Sequence, residues 1–580
     1  MPVRALAASQ PLRVAWVPVR RTVQVLSFLV FAAFFFSLAY PLRLPYDPRL
    51  VFNLDPLTHL WQLFSRQGLF LWNWAIVALI WWAALGRAFC GWMCPLGVIL
   101  DFSRWFSKWF ARAFNLKRPP ADELFAPGAP PPPDAPVYKA PASLNLWLLG
   151  VFLTLAALKM PLVWIFDPIV LAFKFFTVAL YPALDAPARA AYTAFDARFT
   201  GADWWYPVSR FFGKFPAPSY TDTLLIVAFV LVLVLIEQKH RRWWCKYVCP
   251  LGALQRISYF FSPLRRRLVS GCTACTLCEK ECHFAGDMSA DCMFCMHCID
   301  KCDTRKISFL PTKNLALFNG KGNNTGRSCK GTPDSKKNPL RLKVERINAL
   351  KPGTDRRAFL GSVAAGVVAY PVLNLFNQKV NLPVDFIRPP GVADENEFLE
   401  KCIKCGQCLK VCLTNGLQPA LFEAGLDGLW TPRMMNRMGY CDYECNLCGA
   451  ACPTGAIPPL ALDDKKKAVM GLAYVDVSRC IPFVSRRECI VCEEHCPTPD
   501  KAIVMQQFEA ATPDGERYLS KRPVVLRELC TGCGICEYKC PLPSQAAIRV
   551  FREPPATGLG TFEPDPAEAK ATYGYMEGEG

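Results

Sequence analysis

Histidine is scarce in this chain, five in 580 residues, and no Cys-x-x-Cys pair is followed by one. That absence excludes a covalently attached c-type haem. No Gly-rich loop follows a strand-like run in the dinucleotide-binding arrangement, so NAD(P) is not expected. Charge is sparse as well: 20% of residues are charged while 52% are hydrophobic, many of them in long uncharged runs. Such a composition belongs to a part-membrane protein. The net charge of +18 suggests nucleic acid at first sight, yet acidic residues slightly outnumber basic ones from Phe398 onward. The surplus Lys and Arg flank the apolar runs, where the positive-inside rule accounts for them, and no nucleic-acid partner is expected.

Four apolar runs read as membrane-spanning helices, at about 22–41, 70–89, 144–165 and 223–236. Arg4, Arg13, Arg20 and Arg21 precede the first and place the N-terminus in the cytoplasm. Arg104, Lys108, Arg112, Lys117 and Arg118 follow the second run, and Lys239, Arg241, Arg242 and Lys246 follow the fourth, so both ends read as cytoplasmic. The stretch 168–182 is apolar but interrupted by Lys174 and reads as a helix lying on the outer interface. Residues 1–260 thus form a four-helix transmembrane domain and 261–310 a cytoplasmic cysteine-dense module. A basic linker covers 311–353. Residues 354–380 form a fifth helix opened by Arg356 and Arg357, and 381–396 a second linker. A larger cysteine-rich domain covers 397–552, with a loosely ordered tail at 553–580. The fold class is a multi-domain membrane protein, a helical bundle joined to α+β ferredoxin-like domains.

The 29 cysteines are too many, in too long a chain, for a disulfide scaffold. Most fall in quartets. Cys272, Cys275, Cys278 and Cys282 have the spacing C-x2-C-x2-C-x3-C, repeated at Cys292, Cys295, Cys298 and Cys302. A ligand at every third residue of a tight loop covers three irons of one cubane, and the fourth cysteine points to a partner cluster. Cys302 is therefore expected to complete the first cluster and Cys282 the second. The larger domain has four more quartets: Cys402, Cys405, Cys408, Cys412; Cys441, Cys445, Cys448, Cys452; Cys480, Cys489, Cys492, Cys496; and Cys530, Cys533, Cys536, Cys540. Pro453, Pro497 and Pro541 follow three of the fourth cysteines, as in ferredoxins. Strand-like segments at 502–504 and 547–550 suggest small βαβ units. The expectation is six [4Fe–4S] clusters, with iron as the metal in place of zinc. Cys329, alone in the linker, is expected to be free.

A different motif, C-x3-C-P, occurs twice, as Cys90, Cys94, Pro95 and as Cys245, Cys249, Pro250, each followed by Leu-Gly. Residues four apart share one helix face. The four thiols are either buried structural cysteines or a redox site, as dithiols or as ligands of a seventh metal centre.

Residues 1 to about 310 resemble the NapH/NosR group of quinol-linked membrane ferredoxins, and about 354–552 resemble NapG and MauM. The chain thus looks like a NapH–NapG-like fusion. Asp355-Arg356-Arg357-Ala358-Phe359-Leu360 resembles a twin-arginine signal, which has the same topological consequence as a fifth helix: residues 381–580 outside, the N-terminus and 261–353 in the cytoplasm of a bacterial inner membrane. No flavin module of the NosR kind precedes the helices. The resemblance also implies an exchange of fourth ligands in the larger domain. Cys540 would join Cys402, Cys405 and Cys408, and Cys412 would join Cys530, Cys533 and Cys536. Cys496 would join Cys441, Cys445 and Cys448, and Cys452 would join Cys480, Cys489 and Cys492.

By resemblance the chain carries electrons from the quinone pool to a periplasmic redox enzyme or cytochrome, such as a nitrate reductase or another molybdoenzyme. The alternatives are the reverse flow, from a periplasmic dehydrogenase into the pool, and a role in maturing a partner metalloenzyme. His59 beside Asp55 is a conceivable quinol proton acceptor or a surface histidine. A hydrocarbon core of roughly 30 Å separates the two cluster sets, too far for one fast hop. The C-x3-C-P cysteines offer the sole candidate relay, at one edge of it.

Overall fold

The computed structural model describes residues 15–38, 47, 49–64, 77, 80, 81, 84, 86–114, 144–199, 217–258, 262, 264–268, 292–300, 307–311, 356–378, 382–485, 487–511 and 517–554. Its helical part contains α1 (Trp16–Ser37), α2 (Pro56–Phe64), α3 (Ala88–Trp92), α4 (Pro95–Ala113), α5 (Leu144–Ala157) and α6 (Pro168–Phe175). One π turn, Phe176–Leu180, joins α6 to α7 (Tyr181–Phe199); α8 (Thr223–Lys239), α9 (Trp243–Tyr247) and α10 (Pro250–Ser258) follow. After the linker comes α11 (Arg356–Gln378). Among the described residues, three helices are long and apolar enough to cross a membrane: α1, the continuous stretch Pro168–Asp196, and Arg357–Leu375 within α11. The second expected span lies mostly outside the described residues.

The interfacial reading of 168–182 is overturned. Every residue from Pro168 to Lys174 is buried, and α6 sits at the centre of the helical domain. Lys174, whose charge suggested a surface, is 1% exposed, and its Nζ lies 4.2 Å from the Trp430 ring centroid. The third expected span is also shorter than its apolar run. It stops at Ala157, and a separate short helix, Val163–Phe166, precedes α6.

α11 packs along α5 through small residues. A Cβ on Gly150 would overlap Ser362, and one on Gly366 would come within 2.7 Å of the Thr154 Cβ. Close approach of this kind is how apolar helices associate without a hydrophobic drive between them. The faces turned away remain apolar and open, with Leu26, Leu29 and Val30 on α1, Leu224 and Leu235 on α8, and Val367, Val368 and Val372 on α11.

The C-terminal part, from residue 382, holds four short helices that each carry cysteines: α12 (Gln407–Val411), α13 (Leu447–Ala451), α14 (Val491–Glu494) and α15 (Ile535–Lys539). The sheets are two-stranded and antiparallel. β1 (Leu264–Leu268) pairs with β2 (Ile307–Pro311), bracketing the first cysteine-dense module. β3 (Leu417–Pro419) pairs with β4 (Pro432–Met434), β5 (Leu472–Val475) with β8 (Ile548–Phe551), and β6 (Ile503–Ala511) with β7 (Arg517–Val525). The segments expected to be strands are the starts of β6 and β8. Their pairing is antiparallel, so the expected βαβ crossovers do not form.

This domain is seated directly on the helical one. Trp61 Nε1 donates to the Glu400 carbonyl at 2.7 Å, and Lys159 pairs with the Glu400 carboxylate at 2.6 Å. Tyr220 donates to the Leu409 carbonyl at 3.3 Å, and Asn415 Nδ2 to the Ser219 carbonyl at 2.8 Å. Lys410 sits 3.6 Å from the Tyr181 ring centroid.

Candidate metal centres

Four cysteine cages occupy the C-terminal domain. One cavity is lined by Cys480, Cys489, Cys492 and Cys540, and another by Cys496, Cys530, Cys533 and Cys536. Cys452 is the distant thiol that acts electrostatically on Cys402, Cys405 and Cys408 together. Cys412 acts in the same way on Cys441, Cys445 and Cys448. The fourth-ligand exchange implied by resemblance is therefore corrected. Cys540 does not reach the Cys402 loop, Cys412 does not reach the Cys530 loop, and Cys496 and Cys452 are not exchanged with each other's loops.

The physical reason lies in the helix packing. α12 packs on α13, and α14 on α15. A fourth cysteine sits at the end of its own short helix and so points into the loop of the helix beside it. Two two-cluster units result, each exchanging within itself. The tight loops need unusual backbone: Gly406 and Gly534, each just before a cysteine-bearing helix, have φ +83° and +79°, a region open to glycine at no steric cost.

The cages form a row. Cys448 of the second cage acts on Cys408 of the first. Cys441 donates its N–H to the Cys533 carbonyl at 2.8 Å, linking the second cage to that of the Cys530 loop. Cys492 in turn acts on Cys536, linking that cage to the Cys480 one. The order along the row is thus the Cys402, Cys441, Cys530 and Cys480 cages. The first touches the helical domain: Cys405 shares one hydrophobic core with Phe173 and Phe176.

Each cage suits a cubane. The two lined cavities each gather four thiols, the ligand number of a cubane. Burial pushes the thiols of Cys441, Cys480 and Cys492 up to about 12, so a bound cation is required to hold them as thiolates. Backbone N–H groups already point at sulfur, from Ile457 to Cys452 and from Ala547 to Cys540, both at 3.4 Å. Hydrogen bonds of this kind set cluster potentials.

The two C-x3-C-P motifs come together, with all four thiols buried. Cys245, Cys90 and Cys94 all act on Cys249. Cys94 and Cys249 stand at the starts of α4 and α10, with Pro95 and Pro250 at the first helical position. The Gly252 N–H donates to Cys249 Sγ at 3.2 Å. Cys249 Sγ thus caps the start of α10, and Cys94 stands at the N-cap of α4, positions that favour negative charge.

Two arginines cross between the motifs. Arg87 donates to the Cys245 carbonyl at 3.0 Å, and Arg242 to the Cys90 carbonyl at 3.3 Å. Arg242 is also paired with Asp101. The repeated unit is therefore Arg-x2-Cys-x3-Cys-Pro-Leu-Gly, folded about an approximate two-fold axis. Sequence reading stopped at the cysteines, though Arg87 and Arg242 stand at the same offset before them. The tetrad is buried within the helical domain. Cys94, Cys245 and Cys249 belong to the same core as Cys405, and the rings of Trp244, Phe229 and Trp430 run between, with centroids 6.0 and 6.4 Å apart.

On the other side, the Cys292–Cys298 loop docks against α1 and α3. Asp300 accepts from the Trp16 and Val17 N–H groups at 3.0 and 2.7 Å, and Trp92 Nε1 donates to the Phe294 carbonyl at 2.8 Å. Cys272, Cys275, Cys278, Cys282, Cys302 and Cys329 lie outside the described residues. His59 is half-buried, its Nε2 2.6 Å from the Asn53 carbonyl oxygen.

The chain is 37% identical to the ferredoxin-type protein NapG of Escherichia coli over 196 residues, 32% of this chain and 80% of that protein. The chain belongs to the family of the ferredoxin-type proteins NapG and MauM. The methylamine utilization ferredoxin-type protein MauM of Methylophilus methylotrophus is 35% identical over 36% of this chain and 89% of its own length. The regulatory protein NosR of Pseudomonas aeruginosa is 25% identical over 41% of this chain and 27% of its own. The family model described as a 4Fe-4S binding domain matches residues 68–117 and 221–268. Each match contains one C-x3-C-P motif and none of the quartets. No solved structure matches the chain. As a NapG/MauM-type ferredoxin with NosR-like similarity, the chain transfers electrons through 4Fe–4S centres.

Proposed function

We propose that this chain carries electrons from membrane hydroquinone, through its helical domain, to a redox enzyme or cytochrome outside the bacterial inner membrane. The supporting observation is the placement of the Cys402 cage. Its Cys405 shares a core with Phe173 and Phe176, the Leu409 carbonyl beside it accepts from Tyr220 of the helical domain, and the cage heads the row. A carrier with entry at one end and exit at the other needs that arrangement.

In this reading the exposed apolar faces of α1, α8 and α11 meet lipid, with α11 as the fifth span. Residues 381–580 lie outside, and the N-terminus and 261–353 lie in the cytoplasm. Each quartet's first three cysteines hold a [4Fe–4S] cluster. Cys452, Cys412, Cys496 and Cys540 supply the fourth ligands to the Cys402, Cys441, Cys530 and Cys480 cages. Cys302 and Cys282 do so for the Cys272 and Cys292 loops, making six clusters. Cys90, Cys94, Cys245 and Cys249 hold a seventh centre between the two sets. The matching of a 4Fe-4S family model to those two segments favours a cluster there over plain buried thiols. A nitrate reductase or another molybdoenzyme is the partner class.

Full-length protein mixed anaerobically with a soluble hydroquinone should bleach its cluster absorbance in a single rapid phase followed by equilibration. Absence of any bleaching, while dithionite still reduces the clusters, would refute the reading.

A further inference from the structure

Besides the duplicated cysteine motif, the helical domain repeats an Asp-Pro step. Asp55-Pro56 opens α2 and Asp167-Pro168 opens α6. Each aspartate caps its helix with one oxygen. Asp55 Oδ1 accepts from the Leu57 N–H at 3.0 Å, and Asp167 Oδ1 from those of Ile169 and Val170, both at 2.9 Å.

Capping leaves the other two oxygens unexplained. Both residues are 0% exposed, and the Oδ2 of each is buried with no N–H or O–H donor from the protein. The two carboxyl groups nevertheless lie near enough to perturb each other. Two bare carboxylates so placed would repel, so the pair favours holding a proton. Burial and the neighbouring Asp167 hold the Asp55 carboxyl well above its ordinary range. A pair in this state holds one proton and has room for a second. Asparagine or serine would cap as well, so capping alone does not call for two buried acids.

The pair lies under the first cage. The Trp164 ring packs on Trp61 at 6.0 Å, Trp61 Nε1 holds the Glu400 carbonyl, and Glu400 is two residues from Cys402. Trp164 Nε1 and Thr58 Oγ1 are likewise buried without partners. A proton-accepting pair beside the first electron-accepting cage is what hydroquinone oxidation requires.

We propose, resting on the functional reading above, that Asp55 and Asp167 are the proton-accepting site for hydroquinone. The hydroquinone O–H bond breaks, its proton goes to the paired Oδ2 atoms, which then hold two protons, and its electron goes to the centre at the Cys402 loop. The pair then releases the added proton. The second proton and electron follow by the same route, leaving quinone.

The test uses full-length, cluster-loaded protein and the variants Asp55→Asn and Asp167→Asn, which keep a capping oxygen. Wild type should show a carboxylic-acid C=O band in reduced-minus-oxidised infrared spectra that shifts in heavy water, and each variant should lose it. Bleaching by hydroquinone should slow about 100-fold or more in the variants, the scale of lost acid–base assistance. Bleaching by dithionite should match wild type and report intact clusters. Normal hydroquinone reduction of wild type with unslowed variants, or persistence of the band in both, would overturn the proposal alone. If hydroquinone fails to reduce wild type, the functional reading falls and takes the proposal with it.

Discussion

Gly91 and Met293 meet so closely that a Cβ on the glycine would overlap the Met293 carbonyl oxygen. The first belongs to the duplicated cysteine motif and the second to the loop of Cys292, Cys295 and Cys298. The contact is backbone against backbone, so neither side has a flexible group that can yield. Gly91→Ala should therefore push the loop away, at a cost of about 1–3 kcal/mol for overpacking. Hydrogen exchange across residues 292–300 should speed up in the variant. Unchanged exchange would show that the loop is not held by this contact.

Arg242 is 1% exposed and holds together three elements, through the Asp101 carboxylate, the Cys90 carbonyl and its own N–H bonded to Glu237 at 2.8 Å. Removing one partner of a buried ion pair costs about 3–5 kcal/mol because the other charge is stranded. Arg242→Ala should lower the thermal midpoint of the detergent-solubilised protein by several degrees, with Asp101→Asn milder. Arg242→Lys should rescue little, since an ammonium cannot reproduce the planar fork. Full rescue by lysine would contradict the geometric role.

Iron content distinguishes the two ligand-exchange patterns. With the pairing observed here, Cys402→Ser combined with Cys452→Ser damages one cage and should remove about four irons. Cys402→Ser combined with Cys540→Ser damages two cages and should remove about eight. The implied exchange of Cys540 into the Cys402 cage would give the opposite ranking. Iron analysis of the two double variants, with EPR of the reduced proteins, decides between them.

Arg388 anchors the start of the C-terminal domain. It pairs with Glu395, donates to Thr431 Oγ1 at 2.9 Å and to the Pro432 carbonyl at 2.7 Å, and lies over Phe386 and Phe398. Arg388→Ala should destabilise that domain by about 3 kcal/mol or more and release clusters at lower denaturant concentration. Iron release followed by absorbance would show it; a midpoint equal to wild type would contradict it.

Cofactor type was legible from cysteine spacing, because a tight loop with a ligand at every third residue is a local property. Which fourth cysteine completes which cage was not. That depends on whether α12 packs on α13 or on α15, a contact between residues far apart in sequence. Lys174 misled for a related reason: a single charge in an apolar stretch looks interfacial until Trp430, more than two hundred residues later, covers it. The fifth helix was legible from its apolar run. The crossing of Arg87 and Arg242 was readable only in part. Their equal offset before each motif is visible, but the exchange of partners needs the two-fold packing. Asp55 was noticed for its neighbour His59, while its true partner, Asp167, is brought to it by the fold alone.

The central claim is that electrons enter the C-terminal row at the Cys402 cage and leave at the Cys480 cage. Freeze-quench EPR after mixing with hydroquinone tests it most directly, with each signal assigned through the cage variants above. The signal lost in the Cys402 and Cys452 double variant should rise first, and loss of that cage should stop reduction of the other three. Reduction of the Cys480 cage first, or undiminished reduction without the Cys402 cage, would contradict the account.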